Sequence, residues 1–435
     1  MMTQEEYRLR RQALASRLPE NSIAIIPAAS EVLRNGDSHF RFRQDSDFYY
    51  LTGFNEADAL LLITAGNTSI SYLFNLARNP VLEQWNGPRL GQDGACETLG
   101  IEKAFALDEL ESQLPILLSD KQAVYFAIGR YPVWASRILS AWNVVKSQSR
   151  KGITAPEAFC DLVPILSEMR LIKSNAEIDL MRTAAQITVA AHKRVMRACQ
   201  TAKYESQLEA EIIHECYRKG CQNVAYNSIV ASGNNACVLH YSSNNQALTS
   251  GDLLLVDAGA EFENYAADVT RTFPINGKFT TEQRQIYQLV LDAQQAGIRC
   301  IKPGNPWDEA QRTIVEVITR GLVKLGLLQG EVTELIAKEA YKPFYMHHSG
   351  HWLGLDVHDC GRYKLHNQWR PLMPGLVLTV EPGLYINPAT AGVDSRWWGI
   401  GVRIEDDILV TPDGCDNLTR DLPVEIDEIE AFMRG

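Results

Sequence analysis

Apolar and polar positions follow two distinct rhythms along this chain. Residues 3–17 carry apolar side chains at helical spacing within a charged segment, which predicts an amphipathic surface helix. Short apolar runs at 22–26, 59–64, 70–74 and 123–127 predict strands, and residues 108–118 and 132–142 have helical patterns. That alternation predicts an α/β domain over residues 1–165. Segments 34–53 and 84–93 are rich in Arg, Asp and aromatic residues without a period and are expected to be ordered loops at a contact surface. On spacing alone, Trp85 in the second of these is most simply a packed indole.

The rhythm changes near residue 166. Ser174 and Glu177 form a capping box that opens a helical pattern, and Ser206 with Glu209 is expected to open a second. Strand-like segments follow at 227–231 and 236–241. The order then repeats. Thr280 and Gln283 cap a helical pattern, Pro303-Gly304 ends it or lies just past it, a second helix is expected over 307–325, and strand-like segments follow at 352–357, 376–381 and 401–410. Two halves, each of two helices and then strands, predict a pseudo-symmetric α+β unit over 166–435, with helices backing one curved sheet.

Between the halves, an apolar run at 253–256 stops at Asp257, and a second run at 265–273 carries Asp268. Pairing about a Phe262/Glu263 midpoint would set Asp257 opposite Asp268. Cross-strand partners share a face, with Cβ atoms roughly 5 Å apart. Two such carboxylates repel, so one takes up a proton or a cation sits between them. The plainer alternative is a solvated hairpin with chance acids, since Asp is common in turns. The second half supplies more acids. Glu381 ends an apolar run as Asp257 does, and Glu405 is expected inside a strand between Ile404 and Ile408. Four such carboxylates are neutralised by two divalent cations, whereas one cation would leave a costly buried charge. Oxygen ligands with one imidazole, His351, suit a hard or borderline ion such as Mn²⁺ better than a thiolate-type zinc site would. Paired ions of this kind sit about 3.5–4 Å apart, acidify a bound water and polarise a carbonyl.

The histidines have competing readings. His351 and His358 are seven apart and share a face if helical, but Gly350 and Gly354 favour extended chain. His240 lies in the apolar Val-Leu-His-Tyr, where a satisfied core histidine and a catalytic one are equally consistent. Composition narrows the partners. A net charge of −11 argues against nucleic acid or an anionic membrane. No apolar run reaches the roughly 20 residues of a membrane span. Nine scattered cysteines without a C-x-x-C predict free thiols in a reducing compartment, hence the cytoplasm.

The order Asp257, Asp268, His351, Glu381, Glu405 resembles the ligand order of the pita-bread metallopeptidases. Four further stretches narrow the likeness: 166–174, 351–359, 379–386 and 403–407 are similar to the bacterial aminopeptidase P branch, as is 43–54 in the first domain. The resemblance spans nearly the whole chain. It implies an N-terminal α/β domain and a C-terminal pita-bread catalytic domain with a curved antiparallel sheet. It also implies a manganese metalloprotease that releases the N-terminal residue from peptides with proline second, by way of a hydroxide activated between two metal ions. Asp257 would chelate one ion, Asp268 and Glu405 would touch both, and His351 and Glu381 would bind the other. Glu381 would also pass a proton to the departing proline nitrogen. His358 and His240 would steady the substrate carbonyl, and His347 would hold the chain beyond the scissile bond. Arg403 with Tyr385, at the edge of the substrate site, would orient Asp257. A tryptophan at the position of Trp85 walls a neighbouring subunit's site in this family, which implies a homo-oligomer, a dimer or tetramer. The sequence departs from the family pattern at His348, where a glycine is expected; the change is either a loop variant or one that alters access beyond the leaving proline.

Three rivals share the fold. A prolidase would cleave only Xaa-Pro dipeptides. A creatinase-like amidinohydrolase need not keep all five ligands. A non-catalytic binding module would have lost acids at the ligand positions.

Overall fold

Buried apolar runs and well-formed caps account for most of the elements. The computed structural model describes every residue except Met1, Asn67 and Ala389. The chain forms two compact units, Met1–Arg170 and Leu171–Gly435, with the division falling inside the helix Val163–Leu171.

The first unit is built on a six-stranded mixed sheet. Its order is Lys103–Ala106, Ser71–Asn75, Leu60–Thr64, Ser22–Pro27, Ala123–Phe126 and Ala158–Asp161. The two central strands, Ser22–Pro27 and Leu60–Thr64, are buried at every position, which is why they read as continuous apolar runs. Two segments expected as loops contain helices. Ser46–Thr52 is a helix capped by the Asp45 carboxylate, and every residue in it is buried. With no polar face it leaves no helical period in the sequence. Residues 84–93 take in the end of the helix Pro80–Asn86, a loop over 87–90 and the start of the helix Gly91–Leu99. The first of these buries no residue at all, so it too lacks a period, and Trp85 on it is 82% exposed rather than packed.

In the second unit every strand pairing is antiparallel. The first half sets the helices Asn175–Ala198 and Glu205–Arg218 behind the sheet Ile229–Ser232, Leu253–Asp257, Thr270–Pro274. The second sets Thr281–Arg299 and Asp308–Lys324 behind Val377–Val380, Asp406–Thr411 and Gly414–Asn417, with Gly383–Ile386 and Ile400–Arg403 as a separate pair. The Ser174/Glu177 and Thr280/Gln283 boxes both close, each with its side chain accepting from the N3 amide. The cap expected at Ser206 lies elsewhere: the helix starts at Glu205, and Gln207 accepts from the amides of Lys203 and Tyr204. One apolar core joins both halves, from Val195 and Leu208 through Leu254 and Phe273 to Ile314, Trp352 and Ile408.

Several strands differ from the sequence expectation. Residues 236–241 begin in a short 3₁₀ turn, Gly233–Cys237, and residues 352–357 form a loop joined to the neighbouring strand by a bridge from Trp352 to Leu378. The run 401–410 is broken at Ile404–Glu405, so Glu405 sits between two strands rather than inside one. The hairpin register also shifts. Its turn is Glu263–Asn264, both left-handed at φ 49° and 64°, which moves the midpoint by one residue. Asparagine tolerates this region, and a two-residue left-handed turn matches strand twist. Asp257 therefore pairs with Thr270, not with Asp268. A two-residue offset preserves the face, so the two acids still point the same way. Gly259 lets the strands approach here, because an added Cβ would collide with the Ala267 carbonyl.

Candidate metal centre

Each acid of the site sits where a buried strand ends or breaks. Asp257 closes Leu253–Asp257 and Glu381 follows Val377–Val380. Asp268 lies in the unpaired step before Thr270–Pro274. Glu405 is held in the break by its backbone, whose amide donates to the Thr270 carbonyl at 3.0 Å. His351 lies on the loop against Val377–Val380, where its carbonyl accepts from the Thr379 amide at 3.0 Å. Gly350 permits that approach, since a Cβ there would strike the Thr379 carbonyl.

These side chains converge on the floor of a cavity of about 960 Å³. His351 Nε2 lies 3.2 Å from Asp268 Oδ2 and 3.8 Å from Glu381 Oε1. Asp268, His351 and Glu405 each offer a ligand atom within 4.8 Å of the others. The phenol of Tyr226 ties Asp257 to Asp268, at 2.6 Å from Asp257 Oδ1 and 2.5 Å from Asp268 Oδ1. Thr270 Oγ1 donates to Glu405 Oε2 at 2.6 Å. Behind Asp257, Arg403 Nη2 donates to Oδ2 at 2.6 Å, and its Nη1 donates to Tyr385 Oη at 3.0 Å. Tyr385 Oη in turn lies 2.8 Å from His347 Nε2.

The electrostatics call for positive charge. Asp257, Asp268 and Glu405 are almost fully buried, and Arg403 is the buried cation bonded to them through Asp257. Burial raises the Asp257 carboxyl above its usual range, with Arg403 pulling the other way and Asp268 adding to the rise. Burial and the neighbouring Asp268 raise Glu405 well above the ordinary range. Burial pushes Glu381 up to about 7. Burial disfavours the charged form of His351, but its bond to Asp268 and the nearby carboxylates outweigh that and raise it to about 9. Without added cations the cluster therefore gathers protons. Four carboxylates and one imidazole in this setting fit a hard or borderline divalent cation.

The remaining candidates divide. His358 stands beside His351, ring centroids 4.3 Å apart, and both line the cavity on a loop rather than a helix face. His240 also lines the cavity and is exposed, so it is not a core histidine. His347 and the unexpected His348 line it too. Trp85 belongs to the first unit and is not among the lining residues. Sequence reasoning missed Tyr226, which no motif or spacing marks. It also missed Thr270, which the two-residue period from Asp268 would have placed on the same face.

A histidine-containing, oxygen-rich donor set on helix-backed antiparallel strands is the centre of a metal-dependent enzyme. Residues 179–412 match the model of Metallopeptidase family M24, and residues 7–125 match the Aminopeptidase P N-terminal domain. The chain belongs to metallopeptidase family M24, in the aminopeptidase P branch. It is 47% identical to the Xaa-Pro aminopeptidase of Escherichia coli K12 over 99% of this chain and 98% of that one. It is 33% identical to human Xaa-Pro aminopeptidase 3, over 99% of this chain and 86% of the relative. The aminopeptidase PepP of Pseudomonas aeruginosa superposes with a TM-score of 0.98 at 48% identity, covering 100% of this chain and 98% of that one. An Escherichia coli aminopeptidase P in complex with the inhibitor Pro-Leu superposes at 0.97 and 46%, covering 100% and 98%.

Proposed function

We propose that this chain is a metal-dependent aminopeptidase that releases the N-terminal residue from peptides with proline in second position. The observation that carries the reading is the convergence of Asp257, Asp268, Glu381, Glu405 and His351 on the floor of one cavity. Its kinship with Xaa-Pro aminopeptidases along nearly the full length of both chains supports the substrate class. Those five residues would hold two divalent ions, with Mn²⁺ favoured by the donor set. When bound, such ions polarise the scissile carbonyl and acidify water.

The chain's own groups do the rest. An Xaa-Pro bond is a tertiary amide without an N–H; its nitrogen, like that of any amide, must receive a proton before it leaves. Glu381 takes the proton of the attacking water and gives it to that nitrogen, the work of a general acid–base group. Water oxygen bonds to the carbonyl carbon, the C–N bond breaks, and the proton ends on proline. His358 and His240, on the cavity wall, steady the carbonyl oxygen. His347, bonded to Tyr385, holds the chain beyond the proline. Arg403 fixes the orientation of Asp257.

The catalytic domain is residues 166–435. Residues 1–165 supply oligomer contacts, and exposed Val81, Leu82 and Trp85 on one helix support a homo-oligomer, a dimer or tetramer, in which Trp85 walls a neighbour's site. No helix among the described residues is long and apolar enough to cross a membrane. Nine free cysteines support a reducing, cytoplasmic setting. The test is hydrolysis of an Xaa-Pro-Xaa tripeptide by chelated protein before and after adding Mn²⁺. Turnover restored by Mn²⁺ is expected. A protein that stays inert after binding the metal would overturn the reading, and turnover of Xaa-Pro dipeptides alone would make it a prolidase.

A further inference from the structure

The cavity is electrically lopsided. Its floor holds four acids, and among the described residues that line it only Lys364 and Arg403 are lysine or arginine. Arg403 is buried and bonded to Asp257, Thr270 and Tyr385. Lys364 is different: it is exposed and makes no ion pair with any described residue. It lies on a small hairpin, Lys364–Leu365 with Gln368–Trp369, whose turn residues His366 and Asn367 are left-handed at φ 49° and 65°. Lys364 pairs across the hairpin with Trp369, and its Nζ stands 4.2 Å from the centre of the Trp369 ring. The indole lines the same cavity, as do Trp307 and Tyr363, whose rings pack 4.7 Å apart. An ammonium is thus held over an aromatic face on the wall of a cavity with an acidic floor. The ring attracts the cation and limits its excursions without neutralising it.

We propose that Lys364 reads a carboxylate on the part of the peptide beyond proline, either the C-terminus of a tripeptide or an acidic side chain of a longer peptide. The inference rests on the peptidase reading above. A short peptide is a zwitterion, with its ammonium at the end to be removed and its carboxylate at the other. In the peptidase reading the amine end lies at the metal centre, whose four acids the two divalent ions neutralise; Lys364 then leaves an exposed positive charge on the wall, placed to meet a carboxylate farther along the peptide. An extended chain advances roughly 3.3–3.6 Å per residue, so a tripeptide spans about 10 Å. A space of about 960 Å³ holds that length, at the upper end of the roughly 300–1,000 Å³ common for small-ligand pockets. A small annex of about 70 Å³, lined by Trp307, Asp308, His348 and Trp369, adjoins it.

The experiment compares kcat/KM for an Xaa-Pro-Ala tripeptide with its C-terminal amide, and for amidated Xaa-Pro-Glu-Ala with amidated Xaa-Pro-Gln-Ala, on manganese-loaded full-length protein. The wild type is expected to favour the carboxylate member of at least one pair by about fivefold, mostly in KM, as suits a partly exposed ion pair. The pair that discriminates identifies whether the terminus or the side chain is read. Lys364→Gln should bring that ratio to near one, and Lys364→Arg should keep it. A wild type that treats both members of both pairs alike overturns the inference, as does a ratio unchanged by Lys364→Gln. A wild type that cleaves none of the four peptides overturns the peptidase reading itself.

Discussion

Tyr385→Phe tests the site most economically, because it deletes one oxygen from a buried relay. Tyr385 is fully buried, and its hydroxyl accepts from Arg403 Nη1 at 3.0 Å while meeting His347 Nε2 at 2.8 Å. Arg403 keeps its bonds to Asp257 at 2.6 Å and to Thr270 at 3.2 Å, so the guanidinium is not abandoned. It does lose one charge-assisted bond, worth about 1.5–3 kcal/mol net. His347 loses a second bond, but its side chain is 19% exposed, and water takes over part of that role. The expected loss of stability is therefore about 2–3 kcal/mol, a fall of several degrees in Tm. The loss in activity should be separable from it. His347 would no longer be held toward the leaving side, so kcat/KM on an Xaa-Pro-Xaa tripeptide should fall about 10- to 100-fold. Excess Mn²⁺ should not recover it, because no metal ligand has changed. The assay is steady-state hydrolysis of wild type, Tyr385→Phe, His347→Ala and the double variant, with bound metal counted in each. If Tyr385 acts through His347, the double variant should be little worse than His347→Ala. Wild-type kcat/KM in Tyr385→Phe, or losses that simply multiply, would refute the relay.

Three further outcomes follow from the geometry. Glu381→Ala should reduce turnover at least about 10³-fold, a loss consistent with removing a general acid–base group that also holds metal, whereas Cys360→Ala should stay near wild type; peptide hydrolysis at matched metal content distinguishes them. Chelation should lower Tm, and Mn²⁺ at about 100 times its Kd should restore about 2.7 kcal/mol, read by thermal unfolding; a Tm indifferent to both would argue against a metal centre. His192 is fully buried, and burial lowers it to about 4, with its bond to the Ala258 carbonyl acting against that shift. Its folded pKa lies below its unfolded value, so between pH 6.5 and 4 the unfolded chain binds more protons. Stability from His192 is then intact above pH 6.5 and declines by roughly 3 kcal/mol as pH falls through 4. In chelated protein, His192→Gln should flatten that part of the stability profile, and an unchanged slope would count against the assignment.

What the sequence disclosed and what it hid have the same cause, the way burial writes itself into local pattern. Asp257 and Glu381 stood out because each interrupts a run buried on both faces, where a charged residue has no cheap explanation. The Ser174/Glu177 and Thr280/Gln283 caps were legible because a capping box is a local contract among four residues. Ser46–Thr52 and Pro80–Asn86 were illegible for opposite reasons, one being wholly buried and the other wholly unburied, so neither has two faces for a period to separate. The hairpin register depended on which two residues took left-handed angles, and Glu263–Asn264 lacks the glycine that marks such turns most clearly. The error did little harm because it was even-numbered: Asp257 and Asp268 stayed on one face, and Tyr226 gathers them. Tyr226 itself was beyond reach, since its role depends on where a loop over 30 residues upstream passes in space. A metal centre is thus half visible in sequence. Its ligands break patterns that burial imposes, whereas the groups that aim those ligands break none.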